Sequence, residues 1–460
     1  MMKMRWILLA CLVIIYGVLP AVVLTLEDCR DLAGRNNKEL QQAWEEVEKY
    51  RQDYRNVRGN LLPQLSLSAG YQYTKTEMPD SAVPESFSLV DELDDFASAN
   101  DTLLAEFMEQ VSTDFIPKKV TGENSAFGQL RLDQVIFMGG KLINGINVAG
   151  KLYRLQEKKY FLTRQEIIFT ATDKYLRTKL LERVVEIQQD ALDYAARYYN
   201  QVNDMYQEGL VSEYDQLRAR LEYLRLQPEM LEARKNYDLA LTDLRNFLGL
   251  TADPQLADSI TMIPMEEINL TQAMAEGLAN RLEIDLSELN VAVRRVNLRY
   301  EKGNFLPNIG IFAEYNYFGQ SENRIADDDW GNYYTLGIGF NMPIFTGFSN
   351  TAKAVKARHE LKQAEVQHQH LLEMIELEIR NIWLQWQADL EKVNTQQENV
   401  ALAEKGLTIA EARYENQVSN QLEVIDAQLQ LKSTRLGYLN AIYAALISYQ
   451  RLQKAMGREL

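Results

Sequence analysis

The fold of this chain is decided by the residues from Leu65 to Thr74, which read LSLSAGYQYT. Odd positions of the stretch are apolar or aromatic and even positions are small or polar, which is the two-residue period of a β-strand. A strand of about ten residues can cross a bilayer at a tilt, with its apolar face toward lipid. A half-buried strand of a water-soluble sandwich has the same period, so the rest of the chain must decide between the two.

The pattern occurs a second time from Asn308 to Tyr317, where only Phe312 interrupts the polar face. An offset of 244 residues, the distance from Pro63 to Pro307, relates identical residues before the strands: Leu26 and Leu270, Asn36 and Asn280, Glu39 and Glu283, Gly59-Asn60 and Gly303-Asn304. An offset of 208 residues, the distance from Gly139 to Gly347, relates others after them: Ile136-Phe137 and Ile344-Phe345, Tyr206 and Tyr414, Ala219 and Ala427, Gly249 and Gly457. These two offsets cover nearly the whole chain and predict an internal tandem duplication.

Both copies follow one order of helix, β-hairpin and long helical hairpin. We predict a signal peptide at 1–24, a first repeat at 25–250, a linker at 251–268 and a second repeat at 269–460. The predicted β-hairpins span 63–137 and 307–345, and the predicted helical hairpins span 140–249 and 348–457. Within these limits, one helix is expected from Thr25 to Gly59 and the second return strand from Tyr333 to Phe345.

The amino terminus and the overall charge narrow the class of protein. Lys3 and Arg5 followed by a long apolar run predict a secretory signal peptide, and an uncleaved membrane anchor is the alternative. Without Lys3 and Arg5 the chain has 65 acidic and 47 basic residues, a net charge of −18. This charge excludes a nucleic-acid partner. Cys29 would be the one cysteine left, so no intrachain disulfide is expected.

The segments between and after the strands are of two kinds. Acidic connections at 75–126 and 319–332 are too polar for lipid and are predicted external loops. From Leu361 to Tyr414, apolar residues recur every three or four positions, which is typical of a coiled-coil seam. A helix from Asn350 to Asn416 would be about 100 Å long, so we expect it to project from any compact domain.

On the second return strand Gly337, Gly339 and Asn341 form a polar face that suits a water-filled interior.

Five motifs lie where helices meet strands or at the tips of the predicted helical hairpins. They are Asn60-Leu61-Leu62-Pro63, Asn304-Phe305-Leu306-Pro307, Pro343-Ile344-Phe345-Thr346-Gly347, Gly209-Leu210-Val211-Ser212 with Asp215, and Glu423-Val424-Ile425-Asp426-Ala427. With these motifs and the duplication, the chain resembles the TolC family of outer-membrane efflux proteins over its mature length. Val135 departs from the family, which usually has proline there.

The resemblance implies a mixed α+β membrane protein. It implies a homotrimer whose twelve strands, four from each chain, form one outer-membrane β-barrel in contact with lipid. A periplasmic α-helical coiled-coil barrel would continue this β-barrel. The residues alone support a weaker statement, namely that four strands cannot close a barrel and several chains must share one.

The resemblance also implies where the functional residues lie. Glu423 and Asp426, three residues apart on one helical face, are expected to line the periplasmic entrance, and Asp215, Tyr206 and Tyr414 to form a latch there. Ser419 stands where some relatives carry a basic residue, which weakens an ionic latch. The expected adaptor-contacting tips are Gly209, Leu210, Val211, Ser212, Gln417, Val418, Ser419 and Asn420. The expected strand-helix junctions are Pro63, Gly139, Pro307, Pro343 and Gly347.

No motif points to catalysis or to a cofactor. The histidines are His359, His368 and His370, and the last two lie on different faces of one helix, which disfavours a metal site. Trp383 and Trp386 fit seam packing better than a ligand site. The sequence has no nucleophile-base motif and no phosphate loop, so we expect neither an enzyme nor a bound cofactor.

These observations predict a passive exit channel in the outer membrane of a Gram-negative bacterium. It would serve a tripartite efflux or type I secretion system, with an inner-membrane transporter and a periplasmic adaptor as partners. The family includes exporters of drugs, metal ions, polysaccharides and proteins. The alternative is a non-conducting periplasmic coiled-coil scaffold that spaces the membranes, and such a scaffold would not need lipid-facing strands. A diffusion porin is disfavoured because porins lack helices of about 100 Å.

Overall fold

A computed structural model describes residues 23–77, 120–262, 265–321, 330–416 and 418–459. The described residues divide into two compact units. One holds 23–54, 147–298 and the part of the chain after 355, and the other holds the described parts of 55–146 and 299–355. Most of the predicted signal peptide, most of the first acidic loop and residues 322–329 lie outside the described ranges.

The helices and strands form one series that is followed by a second of the same kind. The first series is β1 (Val23–Leu24), α1 (Leu26–Asn36), α2 (Lys38–Gly59), β2 (Gln64–Glu77), β3 (Val120–Met138), α3 (Lys141–Gln207) and α4 (Glu213–Leu248). The second is β4 (Gln255–Leu256), α5 (Leu270–Asn280), α6 (Leu282–Lys302), β5 (Asn308–Ser321), β6 (Trp330–Asn341), α7 (Ser349–Glu415) and α8 (Gln421–Ala455). The two longest helices, α3 and α7, have 67 residues each.

The helix predicted from Thr25 to Gly59 is interrupted at Asn37, so the prediction of one continuous helix was wrong. Asn37 has an extended backbone (φ −66°, ψ 128°). Its side-chain oxygen accepts hydrogen bonds from the N–H groups of Glu39 (2.9 Å) and Leu40 (3.3 Å). Asn37 therefore caps α2, because its amide satisfies donors that have no partner within the helix.

Strands β2, β3, β5 and β6 form one antiparallel sheet in that order, so β2 and β6 are its edges. Leu67 lies opposite Leu130, and Leu132 lies opposite Ala313. The side chains of one face are apolar and exposed, including Leu67, Tyr334, Leu336, Ile338 and Phe340. Small and polar residues occupy most of the alternate positions, and Phe127, Phe312 and Phe318 are the exceptions, so the two faces of the sheet differ in character.

The second return strand ends earlier than predicted. Strand β6 stops at Asn341, which pairs with Asn308, the first residue of β5. The prediction that the strand reaches Phe345 was therefore wrong for this chain. Residues 342–345 lie beyond the last pair with β5, and β6 has no second neighbour among the described strands.

The helical unit is packed around apolar seams. The predicted seam of α7 contains the buried residues Ala364, Ile375, Ile379, Trp386, Val393 and Ala410. Trp386 packs against Tyr449 of α8, and the Trp383 indole donates to the carbonyl of Ile268 (2.8 Å). Across the described residues, none of the helices combines the length and apolar character needed to cross a bilayer.

The segment predicted as a linker is part of the packed structure. Strand β4 pairs in parallel with β1, with Leu24 opposite Leu256, and Leu24 is fully buried. Asp258 accepts the N–H of Leu26 at 2.8 Å and lies 2.8 Å from the hydroxyl of Tyr175. The described part of 251–268 is therefore not a free linker. The pairing also places Val23 and Leu24 with the folded part of the chain.

We expect Asp258→Ala to loosen the start of α1. The substitution removes a charged acceptor, and such hydrogen bonds contribute roughly 1.5–3 kcal/mol, so the Leu26 amide should exchange with solvent about tenfold faster or more. Hydrogen exchange of this amide measures the effect. Asp253→Ala is the matched control, because Asp253 forms an ion pair with Arg245 that is partly exposed. Equal exchange rates in the two variants would contradict the role of Asp258.

Candidate functional site

The first helical hairpin turns at Gly209. Gly209 has a left-handed backbone (φ 73°), and its N–H donates to the carbonyl of Tyr206 at 3.0 Å. The N–H of Leu210 donates to the carbonyl of Met205 at 2.8 Å. This pair of bonds is a Schellman motif, which needs a residue that tolerates positive φ and therefore favours glycine. The motif ends α3 abruptly and leaves the Leu210 side chain exposed.

Ser212 and Asp215 form a capping box at the start of α4. The Ser212 hydroxyl accepts the Asp215 N–H (3.3 Å), and the Asp215 carboxylate accepts the Ser212 N–H (3.2 Å). The Ser212 hydroxyl also donates to this carboxylate at 2.6 Å. The carboxylate of Asp215, a residue predicted for the latch, is thus engaged within its own turn and lies near the positive end of the helix dipole.

The second helical hairpin is closed in the same way. The N–H of Val418 donates to the carbonyl of Arg413 (2.8 Å), and Asn420 caps α8 by accepting the Glu423 N–H (3.2 Å). Val418 is exposed, as its counterpart Leu210 is. Of the predicted tip residues, Gln417 lies outside the described residues. Each hairpin therefore presents an aliphatic side chain immediately before a capped helix.

A hydrogen bond connects the two hairpins near their tips. The side-chain amide of Gln421 at the start of α8 donates to the backbone carbonyl of Asp215 at 3.2 Å. Within the first hairpin, the Gln216 amide donates to the Asn203 side chain at 2.8 Å. Gln421 is buried, so this bond to Asp215 is shielded from water. The tips of one chain are therefore held beside each other.

The two acidic residues predicted to line the entrance differ in environment. Glu423 lies 3.4 Å from Arg413 and forms an ion pair across the turn. Asp426 is exposed one helical turn further along α8. The pairing with Arg413 reduces the net charge that Glu423 presents, so Asp426 is the stronger candidate for a free carboxylate at the entrance.

A tyrosine cluster lies behind the tips, and the sequence analysis did not identify it. The hydroxyl of Tyr194 donates to Glu411 at 2.7 Å, and the Tyr194 and Tyr198 rings stack at 6.2 Å. The ring of Tyr414 lies 6.1 Å from that of Tyr198. Burial, together with the hydrogen bond to Glu411, raises the pKa of Tyr194, so its hydroxyl stays protonated.

This cluster changes the interpretation of the predicted latch. Tyr414 contacts Tyr198 within the chain, Asp215 is bound by Ser212, and Tyr206 lies half-exposed one turn before Gly209. Tyr414 and Asp215 both lie near Tyr198, and the latch between neighbouring hairpins stays a prediction. The four-residue spacing of Tyr194 and Tyr198 was the available sequence signal, because it places both rings on one face of α3.

The polar face of the sheet carries an ion-pair cluster that was also missed. Arg131 on β3 donates to Asp133 (2.7 Å) and pairs with Glu314 on the adjacent strand β5. The guanidinium lies 5.3 Å from the centre of the Phe312 ring, so the aromatic residue that interrupts the polar pattern packs against Arg131. Alternation alone could have placed Arg131 and Asp133 on one face of β3.

The junction residues are positioned by backbone contacts. Gly139 has a positive φ of 60°, and its backbone lies against Gly303. Gly347 has nearly the same φ of 59°. Pro63 and Pro307 each precede the first residue of a strand, where the missing N–H of proline removes no sheet hydrogen bond. Pro343 follows the end of β6.

The histidines occupy ordinary surface and packing positions. His368 lies 3.2 Å from the hydroxyl of Ser287, and His370 lies 3.8 Å from Glu373. In the part of the chain that the structure describes, no group of three or more His, Cys, Asp or Glu side chains is placed to hold a metal ion.

Comparison with known proteins gives consistent results. A family model described as outer membrane efflux protein matches residues 30–250 and 274–458. Outer membrane protein TolC of Salmonella enteritidis is 22% identical over 346 residues, which cover 73% of this chain and 69% of the relative. Outer membrane efflux protein BepC of Brucella suis is 22% identical over 333 residues, covering 72% and 71%. The crystal structure of the Campylobacter jejuni CmeC outer membrane channel has the same fold, with a TM-score of 0.76 at 18% identity over 94% of this chain and 85% of that one.

We expect Ser212→Ala to fray the first turn of α4. Loss of a capping side chain costs about 1 kcal/mol, so the Asp215 amide should exchange with solvent about fivefold faster. Ser212→Asn is the matched control, since Asn420 performs the same function in the second hairpin. Exchange that rises equally in both variants, or in neither, would contradict the capping role.

Proposed function

Because this chain belongs to the outer membrane efflux protein family, we propose that it forms a passive exit channel in the outer membrane, where proteins of this family reside. The family resemblance inferred from the sequence is confirmed by the family match and by relatives such as TolC. The channel itself would catalyse nothing. A transporter in the inner membrane would supply the energy, and a periplasmic adaptor would join the two.

The two-faced sheet is the observation that carries this proposal. Leu67 and Ile338 on its apolar face are 78% and 73% exposed, which would be unfavourable over such an area in water. The opposite face bears Arg131, Asp133 and Glu314. A sheet with these faces fits the wall of a pore, with lipid on one side and water on the other.

The open edges of the sheet support a trimer. Among the described strands, β2 and β6 each have one neighbour, and lipid offers no hydrogen bonds to the backbone of an open edge. Four strands are too few to close a barrel by themselves. Three chains would supply twelve strands and remove every edge, as the family resemblance implies.

The hairpin tips support contact with an adaptor. Leu210 and Val418 are exposed at the turns, immediately before helices that are capped by Ser212 and Asn420. Exposed aliphatic residues on rigid turns are suited to bind an apolar surface on a partner. A periplasmic scaffold could use the same tips, but it would have no use for the two-faced sheet, so the channel is the better interpretation.

The proposal predicts a trimer that resides in the outer membrane. Membrane fractionation followed by native mass measurement of the detergent-extracted protein should give about three times the mass of the mature chain. Detergent is needed because the apolar face of the sheet would otherwise be exposed to water. A protein that is recovered as a water-soluble monomer would rule out the channel.

The carboxylates expected at the periplasmic entrance predict that the channel prefers cations to anions. In a trimer, Asp426 would form a ring of three charges at a narrow opening, so Asp426→Asn should reduce the cation-to-anion permeability ratio about twofold. Glu423→Gln should have a comparable effect, because it leaves the charge of Arg413 without its partner. Reversal potentials across planar bilayers under a salt gradient measure both ratios.

Asp31→Asn is the matched control for this measurement. The Asp31 side chain is largely exposed on α1 and forms a weak ion pair with Arg35, so it should be screened from any pore by salt. A permeability ratio that changes as much in the Asp31 variant as in the Asp426 variant would show that Asp426 does not line the entrance. If the protein conducts ions without preferring cations, the proposed channel stands and the proposed role of Asp426 in ion selectivity fails.

A further inference from the structure

Three exposed aromatic side chains lie on the polar face of the sheet, where most positions hold small or polar residues. Phe127 of β3 lies directly opposite Phe318 of β5, and Tyr333 of β6 lies on the same face, opposite Asn316. The Phe318 and Tyr333 rings make an edge-to-face contact with 5.8 Å between their centroids. Phe127, Phe318 and Tyr333 are 47%, 41% and 51% exposed, so packing within the chain does not account for them. We call these three residues the aromatic band.

The two phenylalanine rings of the band lie over glycines of the neighbouring strands. A Cβ on Gly70, which is opposite Phe127, would lie 2.7 Å from Cε1 of the Phe127 ring. A Cβ on Gly331, which is opposite Phe318, would lie 3.1 Å from Cζ of the Phe318 ring. Covering a glycine with the ring of a cross-strand neighbour helps to hold the register of a sheet. It also turns the ring down against the sheet, so that the other surface of the ring is open to solvent.

A third ring on the same face already carries a cation. Phe312 of β5 lies over Gly337 in the same manner, and the Arg131 guanidinium lies 5.3 Å from the centre of the Phe312 ring. Such contacts are favourable because the face of an aromatic ring has a negative electrostatic potential. Among the described residues, no cation lies over Phe127 or Phe318. The band therefore presents the same ring arrangement to a cation from solution.

The charge of the polar face also favours a positively charged ligand. Of the side chains that the structure describes on this face, the charged ones are Arg131, Asp133 and Glu314, so two carboxylates face one guanidinium. Arg131 lies four residues along β3 from Phe127, which is about 13 Å. A net negative charge at this distance attracts cations and repels anions, and it does so more strongly inside a pore, where walls of low dielectric constant focus the field.

We propose that the aromatic band binds an organic cation with a planar aromatic ring system, which stacks on Phe127 and Phe318 and contacts Tyr333. The inference rests on the proposed function, in which the polar face lines a water-filled pore. The band would lie near the exit of this pore, because β6 begins at Trp330 and the predicted external loops join the strands at this end. A planar ring fits rings that lie against the wall, and the positive charge fits their faces and the excess of carboxylate.

Binding of ethidium, a planar aromatic cation, tests the site. Fluorescence anisotropy of ethidium with the full-length protein in phosphatidylcholine nanodiscs measures the dissociation constant, and protein-free nanodiscs give the background. Phe127→Leu combined with Phe318→Leu keeps two apolar side chains and removes the aromatic faces. The double variant should bind ethidium about tenfold more weakly, because two stacking contacts are lost.

Tyr334→Leu is the matched control variant. Tyr334 is the residue after Tyr333 on β6, and it lies on the apolar face, so its substitution should leave the dissociation constant for ethidium unchanged. Tyr333→Leu provides a second test if the double variant does not assemble, because Tyr333 lies opposite Asn316 and not opposite a glycine. This variant should bind ethidium about threefold more weakly. Native mass measurement of each variant verifies assembly.

Fluorescein, a planar aromatic anion, is the control for charge. It should bind to the unmodified protein about tenfold more weakly than ethidium, because the ring faces and the excess carboxylate disfavour negative charge. Equal binding of fluorescein and ethidium would refute a cation site. Equal binding of ethidium to the Tyr334 variant and to assembled variants of the aromatic band would refute the band as the place of binding.

Single-channel recording separates this inference from the channel itself. Ethidium should reduce the current of the unmodified protein, and the double variant should need about ten times more ethidium for the same reduction, as its weaker binding implies. A protein that conducts but shows no difference between the double variant and the Tyr334 variant would leave the channel and refute the band. A protein that binds ethidium through the band but does not conduct would leave the binding site and refute the proposed function.

Discussion

A β-sheet in lipid has no water to satisfy the N–H and C=O groups of its edge strands, so its edges must be paired. In this chain the sheet has the order β2-β3-β5-β6, and its two edges are the outer strands of two hairpins with one register. In the channel proposed above, pairing of these edges would satisfy their backbone groups, and the exposed apolar face of the sheet would lie against lipid.

The helical hairpins are subject to a different constraint. The backbone N–H and C=O groups at helix ends have no partner within the helix and need other hydrogen bonds. Ser212 and Asn420 supply the caps, and Gly209 permits the turn. Acidic residues at these ends are consequently committed to local bonds, as Asp215 is to Ser212 and Glu423 to Arg413. Arg413 offsets the charge of Glu423, whereas Asp215 keeps its charge while it is bonded to Ser212, and the exposed aliphatic residues Leu210 and Val418 lie beside these groups.

Patterns among neighbouring residues predicted the strands and helices that depend on neighbouring residues alone. The stretch from Leu65 lies inside β2, and the helix expected from Asn350 to Asn416 corresponds to Ser349–Glu415. Features that depend on distant partners were missed, including the early end of β6 and the packing of the described part of 251–268. The break at Asn37 was also missed, although its cause is local, because Asn37 caps the next helix through Glu39 and Leu40. The capping role of Asp215 is a different case, because Ser212 followed three residues later by an acidic residue is close to a known capping signature. That signal was present and was interpreted as a gate.

The bond between Leu26 and Asp258 joins residues that are 232 positions apart. Closing so long a loop carries a large entropic cost, and the rate of folding falls as contacts become more distant in sequence. A chain made from its amino end cannot complete its first helix in the native arrangement until more than half of its length has been synthesised. The parallel pair of β1 and β4 therefore cannot form until the first series and residues 255–258 have all been synthesised.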